Sequence, residues 1–135
     1  MPVLGWWVLL GLVVIAASWV GLTAFRYGLL PTLVRGAPYV PTHPDLVKTM
    51  IELADLKPTD RVVDFGSGDG RIVIAAAQVG VRESIGYEID PGQVWTSRAR
   101  ARKLKLQNTK FYAKSFWDAP LNEMDVVFLY GLPPY

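Results

Sequence analysis

The chain has 135 residues, 51% of them hydrophobic and 19% charged, with no cysteine and a formal net charge of +2. All 26 charged side chains lie between Arg26 and Asp125. The first 25 residues therefore carry no ionisable side chain, while the other 110 are about 24% charged, the usual share of a soluble domain. This split excludes a disulfide scaffold and a disordered tail, and it leaves room for one globular domain rather than two.

Residues 3–25, VLGWWVLLGLVVIAASWVGLTAF, form a run whose only non-apolar members are glycine, serine and threonine. About 20 helical residues cross the roughly 30 Å hydrocarbon core of a bilayer, so this run predicts a single membrane span. Trp6 and Trp7 near one end, and Arg26 and Tyr27 at the other, suit the two interfaces. A cleavable signal peptide would carry a basic stretch before a shorter apolar core. A buried core helix this apolar on all sides is rare in so small a domain. Arg26 and Arg35 flank only the C-terminal end, which predicts a membrane location with the globular part on the cytoplasmic side.

The segment PTLVRGAPYVPTHP, residues 31–44, has prolines at 31, 38, 41 and 44 and reads as an extended connector. Thr42 and Asp45 have capping-box spacing, and Leu46, Val47, Met50, Ile51 and Ala54 recur at helical intervals, predicting a helix over 43–56. His43 is the only histidine and there is no cysteine, so no metal site and no Ser/His/Asp triad is expected.

Arg61 to Phe65, RVVDF, is a short β-branched run that leads into Gly66-Ser67-Gly68-Asp69-Gly70 and then the helical stretch RIVIAAAQV. Strand, glycine loop and helix in this order bring a ligand close to backbone amides at a helix N-terminus. A second strand is predicted over 83–89, carrying Glu88 at its end, 22 residues beyond Gly66. There an acid can accept both ribose hydroxyls of a nucleoside ligand. Asp90 and Pro91 start a helix over 90–105, with Val94 and Trp95 facing inward, and strands follow over 109–113 and 124–130. The alternation implies a parallel sheet with right-handed crossovers, covered on both faces, with the ligand at the carboxyl ends of the strands.

A dinucleotide fingerprint counted from Gly66 needs glycine at 71, where Arg71 stands and would crowd a pyrophosphate, so NAD is disfavoured. S-adenosylmethionine fits better. It has a ribose for Glu88 and no phosphates, and it places a sulfonium and an amino-acid tail near Asp64.

The motifs Pro38-Tyr39-Val40-Pro41-Thr42, Val63-Asp64-Phe65-Gly66-Ser67-Gly68-Asp69-Gly70-Arg71, Gly86-Tyr87-Glu88-Ile89-Asp90-Pro91 and Val126-Val127-Phe128-Leu129-Tyr130-Gly131 resemble class I S-adenosylmethionine-dependent methyltransferases. More narrowly, they resemble the ATP-synthase c-subunit lysine N-methyltransferase family and its bacterial relatives, over nearly the whole chain. The resemblance implies a Rossmann-like doubly wound parallel sheet in the order 3-2-1-4, these being four of the usual seven strands. It implies transfer of a methyl group to a lysine ε-amine, and the apolar leader joined to these motifs points to a membrane-associated protein as the acceptor. It also implies cofactor contacts from Asp64, Gly66 and Gly68 to the methionine part and from Glu88 to the ribose, with Ser67 of the loop as a further cofactor contact and Tyr39 and Thr42 closing over the cofactor.

Two positions depart from the pattern of these relatives. Ser115 stands where many have an acid that binds the adenine amino group, and it is retained as the cofactor contact there. Leu132-Pro133-Pro134-Tyr135 lacks the polar first residue of the amide and adenine N-methyltransferase motif, so that chemistry is not transferred. No catalytic residue is assigned, although Tyr130 could border the reacting amine or be a buried aromatic.

The resulting layout is a membrane anchor over 1–27, a proline-rich linker over 28–44 and a cofactor-binding domain over 45–135 that is expected to be truncated on its C-terminal side. The alternative is a membrane-tethered remnant or interaction module without catalysis. Trp95 and Trp117 read as packing residues. The cluster Arg98, Arg100, Arg102, Lys103 and Lys105 reads first as a solvated helix surface, then as a lipid contact. Nucleic acid comes last and is not expected as a partner.

Overall fold

The computed structural model describes residues 3–26 and 39–131. The predicted anchor Tyr27, the orientation residue Arg35, most of the linker and the closing Leu132-Pro133-Pro134-Tyr135 lie outside the described residues.

Helix α1 (Val3–Arg26) contains a 21-residue segment, Gly5–Phe25, with a mean hydropathy of 2.3, long and apolar enough to cross a membrane by length and composition. Its large apolar side chains, among them Trp6, Leu9, Ile15 and Trp19, are exposed. Helix α2 (Pro44–Leu53) starts differently from the expected capping box. His43 is the N-cap, its imidazole accepts the Asp45 amide at 3.4 Å, and Pro44 occupies the first turn, where its missing N–H costs nothing. Thr42 is instead buried against the glycine loop.

Strands β1 (Arg61–Phe65), β2 (Glu83–Glu88), β3 (Thr109–Ala113) and β4 (Val126–Leu129) form one parallel sheet in the order β3-β2-β1-β4, with helices α3 (Arg71–Val79) and α4 (Pro91–Lys103) between them. This is the predicted Rossmann-like order. The two right-handed crossovers from β1 to β2 and from β2 to β3 run in one direction, so α3 and α4 lie on the same face. Val62, Ile72, Ala76, Val81 and Phe128 pack there with Val47 of α2, beside a second cluster of Val73, Ile74, Val94, Ala101 and Phe111. Asn108 ties the turn after α3 to the start of β3, donating to the carbonyls of Ala77 and Val81 at 3.1 and 2.9 Å.

The other face differs from the expectation of helical cover. Going from β3 back to β4 reverses the direction of winding, which puts that connection on the opposite face. Here it is made of two 3-10 turns, Phe116–Asp118 and Leu121–Glu123. Phe116, Ala119 and Met124 cover Val63, Ile85 and Tyr87, while Val127 and Leu129 on the edge strand β4 stay 46% and 67% exposed.

The amino ends of the strands are held by charge. Arg61 bonds Glu83 at 2.9 Å and Glu123 at 2.7 Å, Lys110 also pairs with Glu83, and Asp125 accepts the Arg61 amide at 2.7 Å. That leaves the carboxyl ends as the place where the chain turns through glycine. Trp95 and Trp117 are 73% and 85% exposed, so neither is the packing residue expected of it. Trp95 follows buried Val94 directly, and one helical step of about 100° carries it off the buried stripe.

Candidate functional site

The site is assembled where β1 and β2 end. In register, Asp64 sits between Gly86 of β2 and Phe128 of β4, and it is 3% exposed. Burial, and then the nearby negative charge of Glu88, push its carboxyl up to about 8, so at neutral pH it holds its proton.

After Phe65 the chain folds back on β2. The amides of Gly66 and Ser67 both donate to the Tyr87 carbonyl, at 2.9 and 3.0 Å, and the Gly70 amide closes a turn on the Ser67 carbonyl at 2.8 Å. Gly68 has φ +50°, and the Tyr39 ring lies directly over it, so a Cβ there would overlap the ring. Gly86 is required for a different reason: its missing side chain makes the space that Ser67 fills. Ser67 Oγ is buried there with no hydrogen-bond partner.

Glu88, half-buried at the end of β2, joins the loop to the next helix. Its Oε2 accepts the Gly68 amide and its Oε1 the Asp90 amide, each at 2.9 Å. Each oxygen keeps a further lone pair for a ligand hydroxyl. From α4, Ser97 Oγ donates to the Gly68 carbonyl at 2.9 Å, which fixes the loop from behind.

Two residues not predicted as part of the site organise its rim. Asp69 lies between the guanidinium groups of Arg71 and Arg100. Burial opposes its charge, but hydrogen bonding from Arg71 and the Arg100 and Arg71 charges hold it below the usual carboxylate range. Arg71 also donates to the Thr42 carbonyl and, at 3.3 Å, to Tyr39 Oη. The residue that stands in place of a fingerprint glycine thus ties the 39–42 segment across the glycine loop. Asp69 and Arg71 flanking Gly70 were the available signal, since an acid and a base two apart on a turn readily pair.

Tyr39, Thr42, Asp64, Gly66 and Ser67 line one cleft together with Asp69, Arg71 and Tyr130. Tyr130 is 44% exposed and so borders the cleft rather than being buried. Gly68 and Glu88 adjoin it. Ser115 does not line the cleft: its hydroxyl caps the first 3-10 turn, accepting the Trp117 amide at 3.4 Å. Among the described residues no cluster of His, Cys, Asp and Glu is arranged to hold a metal ion.

Residues 64–135 match the family model described as the ANTKMT methyltransferase domain. The ATP-synthase c-subunit lysine N-methyltransferase of Xenopus laevis is 42% identical over 97 residues, covering 71% of this chain and 42% of that protein. The protein-lysine N-methyltransferase of Saccharolobus islandicus is 34% identical over 97 residues, covering 70% of this chain and 60% of that protein. Among solved structures, an RNA methyltransferase from Salinibacter ruber in complex with S-adenosyl-L-homocysteine superposes with a TM-score of 0.66. It is 43% identical, over 70% of this chain and 62% of that one. The chain spans less than half the length of the Xenopus relative. The matched stretch starts at Asp64 and takes in the glycine loop, Glu88 and β4, all of the cleft and its surroundings except the 39–42 segment, and on that match the chain belongs to the ANTKMT methyltransferase domain family.

Proposed function

We propose that this chain binds S-adenosylmethionine at the glycine loop and takes part in methylating a lysine of a membrane-associated protein, with α1 as its single membrane anchor. The observation that carries the reading is the pair of acidic side chains on neighbouring strand ends. Asp64 is buried and faces the loop, while Glu88 is held open by two backbone amides. The protein-lysine methyltransferases among the relatives support the acceptor class.

The residues present fit the cofactor. Ser67 Oγ is a buried hydroxyl still lacking a partner, and at Gly68 the loop carries no side chain and has the Tyr39 ring against it. Glu88 would accept the two ribose hydroxyls, and Asp64 would face the positive end of the methionine part. Tyr39 and Thr42, tied down by Arg71, would form the strap over it. Ser115 is retained as the residue near the adenine amino group, placed beyond the end of β3. When bound, the cofactor supplies an electrophilic methyl group. The chain's contribution is to position the two reactants in line and to keep the amine neutral. Tyr130, at the mouth of the cleft, borders the place where an amine would enter.

In this reading residues 1–27 anchor the chain, with the cofactor-binding domain on the cytoplasmic side. Thr42 is buried against the loop, so the functional domain begins near Tyr39, inside the predicted linker.

A second reading, methylation of RNA, is favoured by the 43% identity to the Salinibacter ruber structure. One assay separates them. The full chain in vesicles is given labelled S-adenosylmethionine with membrane proteins or with total RNA, and the labelled product is hydrolysed and identified. Methyl-lysine that disappears with Glu88→Ala is the expected result, and methylated nucleotides overturn the acceptor. Cofactor binding without transfer to either acceptor overturns catalysis in favour of a binding module.

A further inference from the structure

Charge is divided unevenly along this chain. Residues 91–117 hold seven basic side chains and no acidic one, whereas the rest of the chain holds seven basic and twelve acidic, a net charge of −5. The fold gathers the basic stretch into α4 and β3, which forms the outer edge of the sheet opposite β4. Two of the seven are engaged in ion pairs, Arg100 with Asp69 and Lys110 with Glu83. Arg98 donates to the Phe111 carbonyl at 2.5 Å. Arg102, Lys103, Lys105 and Lys114 are exposed and have no acidic partner among the described residues.

Between α4 and β3, Arg98, Arg102 and Lys105 border an open groove of about 430 Å³ that Gln107 also lines. Trp95 lies three positions before Arg98 and seven before Arg102, on the same helix face, and is exposed. A face that mixes free cations with an exposed indole matches the interfacial zone of a bilayer, where indole rings sit at headgroup level and basic side chains meet lipid phosphates.

We propose that the α4–β3 face docks onto the anionic headgroups of the membrane in which α1 is embedded. The proposal rests on the anchoring reading of α1. A tethered domain stays close to the surface, and each cation near an anionic leaflet strengthens contact by about fivefold. Nucleic acid is the weaker occupant for a geometric reason. Leu106, Gln107 and Thr109 place the groove toward the amino end of β3, whereas Glu88 and the glycine loop lie at the carboxyl ends of the strands. A phosphate chain held in the groove is thus turned away from the site, while a membrane surface there leaves the site open.

The chain has no cysteine, so one introduced thiol gives a unique label. The full chain carrying Gln107→Cys with an environment-sensitive dye is reconstituted into vesicles of phosphatidylcholine, with or without phosphatidylglycerol. A dye at Glu52→Cys on α2 serves as control. Increased, blue-shifted emission from position 107 only with phosphatidylglycerol is the expected result. It should be lost in salt of about 0.5 M, where surface fields are screened, and in Arg102→Glu/Lys105→Glu. The milder Arg102→Gln/Lys105→Gln pair gives the same direction with less risk to folding. Equal emission in both lipid mixtures, with the chain still floating with the vesicles, overturns the docking and leaves the anchor standing. Failure to float overturns the anchor, and the docking with it. A response to added RNA but not to phosphatidylglycerol overturns the proposal in favour of a nucleic-acid surface.

Discussion

Glu88 Oε2 accepts the backbone amide of Gly68 at 2.9 Å across 20 residues of sequence. The acid at the end of β2 is thereby part of the glycine loop's own architecture. With Oε1 on the Asp90 amide, one carboxylate joins the loop after β1 to the start of α4. Its orientation is set before any ligand arrives, which lowers the ordering cost of binding.

Removing that carboxylate leaves two amides without their charged acceptor and, in the proposed binding mode, a cofactor ribose without its own. Hydrogen bonds to charged groups are worth about 1.5–3 kcal/mol each. Glu88→Ala should therefore weaken binding of S-adenosylhomocysteine on the order of 100-fold by calorimetry, and also lower the melting temperature. A variant that binds unchanged removes Glu88 from the site.

Gly68→Ala faces two separate penalties, a φ of +50° that L residues rarely adopt and the Tyr39 ring in the space the new Cβ would take. Destabilisation of about 1–3 kcal/mol is expected in denaturant melts. Adding Tyr39→Ala should recover part of it, because only the steric share is relieved. Full recovery would mean that the backbone conformation carries no strain, and no recovery would mean that the ring moves freely.

Asp64 gives a pH dependence of defined sign. Its carboxyl is raised from 3.8 to about 8, by burial first and then by the Glu88 charge. The folded state thus keeps a proton that the unfolded chain has lost above about pH 4. This contribution to stability is complete below pH 4 and is lost as pH rises through about 8. Asp64→Asn should flatten that slope and stabilise the fold near pH 8. A cationic ligand group prefers the carboxylate, so affinity for S-adenosylhomocysteine should rise between about pH 6 and 7.5, by up to about tenfold per unit, with proton release. Calorimetry in buffers of different ionisation enthalpy measures this, and a flat profile would show that Asp64 is not titrating.

Arg71→Met keeps most of the apolar stem and removes the guanidinium that joins Asp69, Tyr39 and the Thr42 carbonyl. Amide hydrogen exchange over 39–42 should speed up by about tenfold while α3 stays protected, and the Michaelis constant for the cofactor should rise. Unchanged exchange would place the anchoring of that segment elsewhere, for instance in the buried Thr42 side chain.

Strands β1 and β3 and helix α3 coincide with their predicted ranges. Each is set by its own residues: Val62 and Val63 in β1, Thr109 with the aromatics Phe111 and Tyr112 in β3, and Gly70 and Gly80 with positive φ at both ends of α3. The parallel order β3-β2-β1-β4 follows from connection rules that depend on handedness rather than detail. Boundaries that rest on distant partners were less legible. Asp125, predicted inside β4, lies just before it and spends its carboxylate on the Arg61 amide, 64 positions away in sequence.

The amino-acid sequence by itself determined where the glycine loop falls, which acids flank it and that an apolar helix precedes the domain, because these depend on local spacing, backbone freedom and hydropathy. Tertiary structure alone decided that Arg71 straps residues 39–42 to the loop, that Ser115 caps a turn, that Trp95 faces outward and that one sheet face keeps Val127 and Leu129 exposed. Each of these depends on which distant group reaches a given atom, and a guanidinium, a hydroxyl or an indole has no preferred partner until the sheet has brought its candidates within a few ångströms.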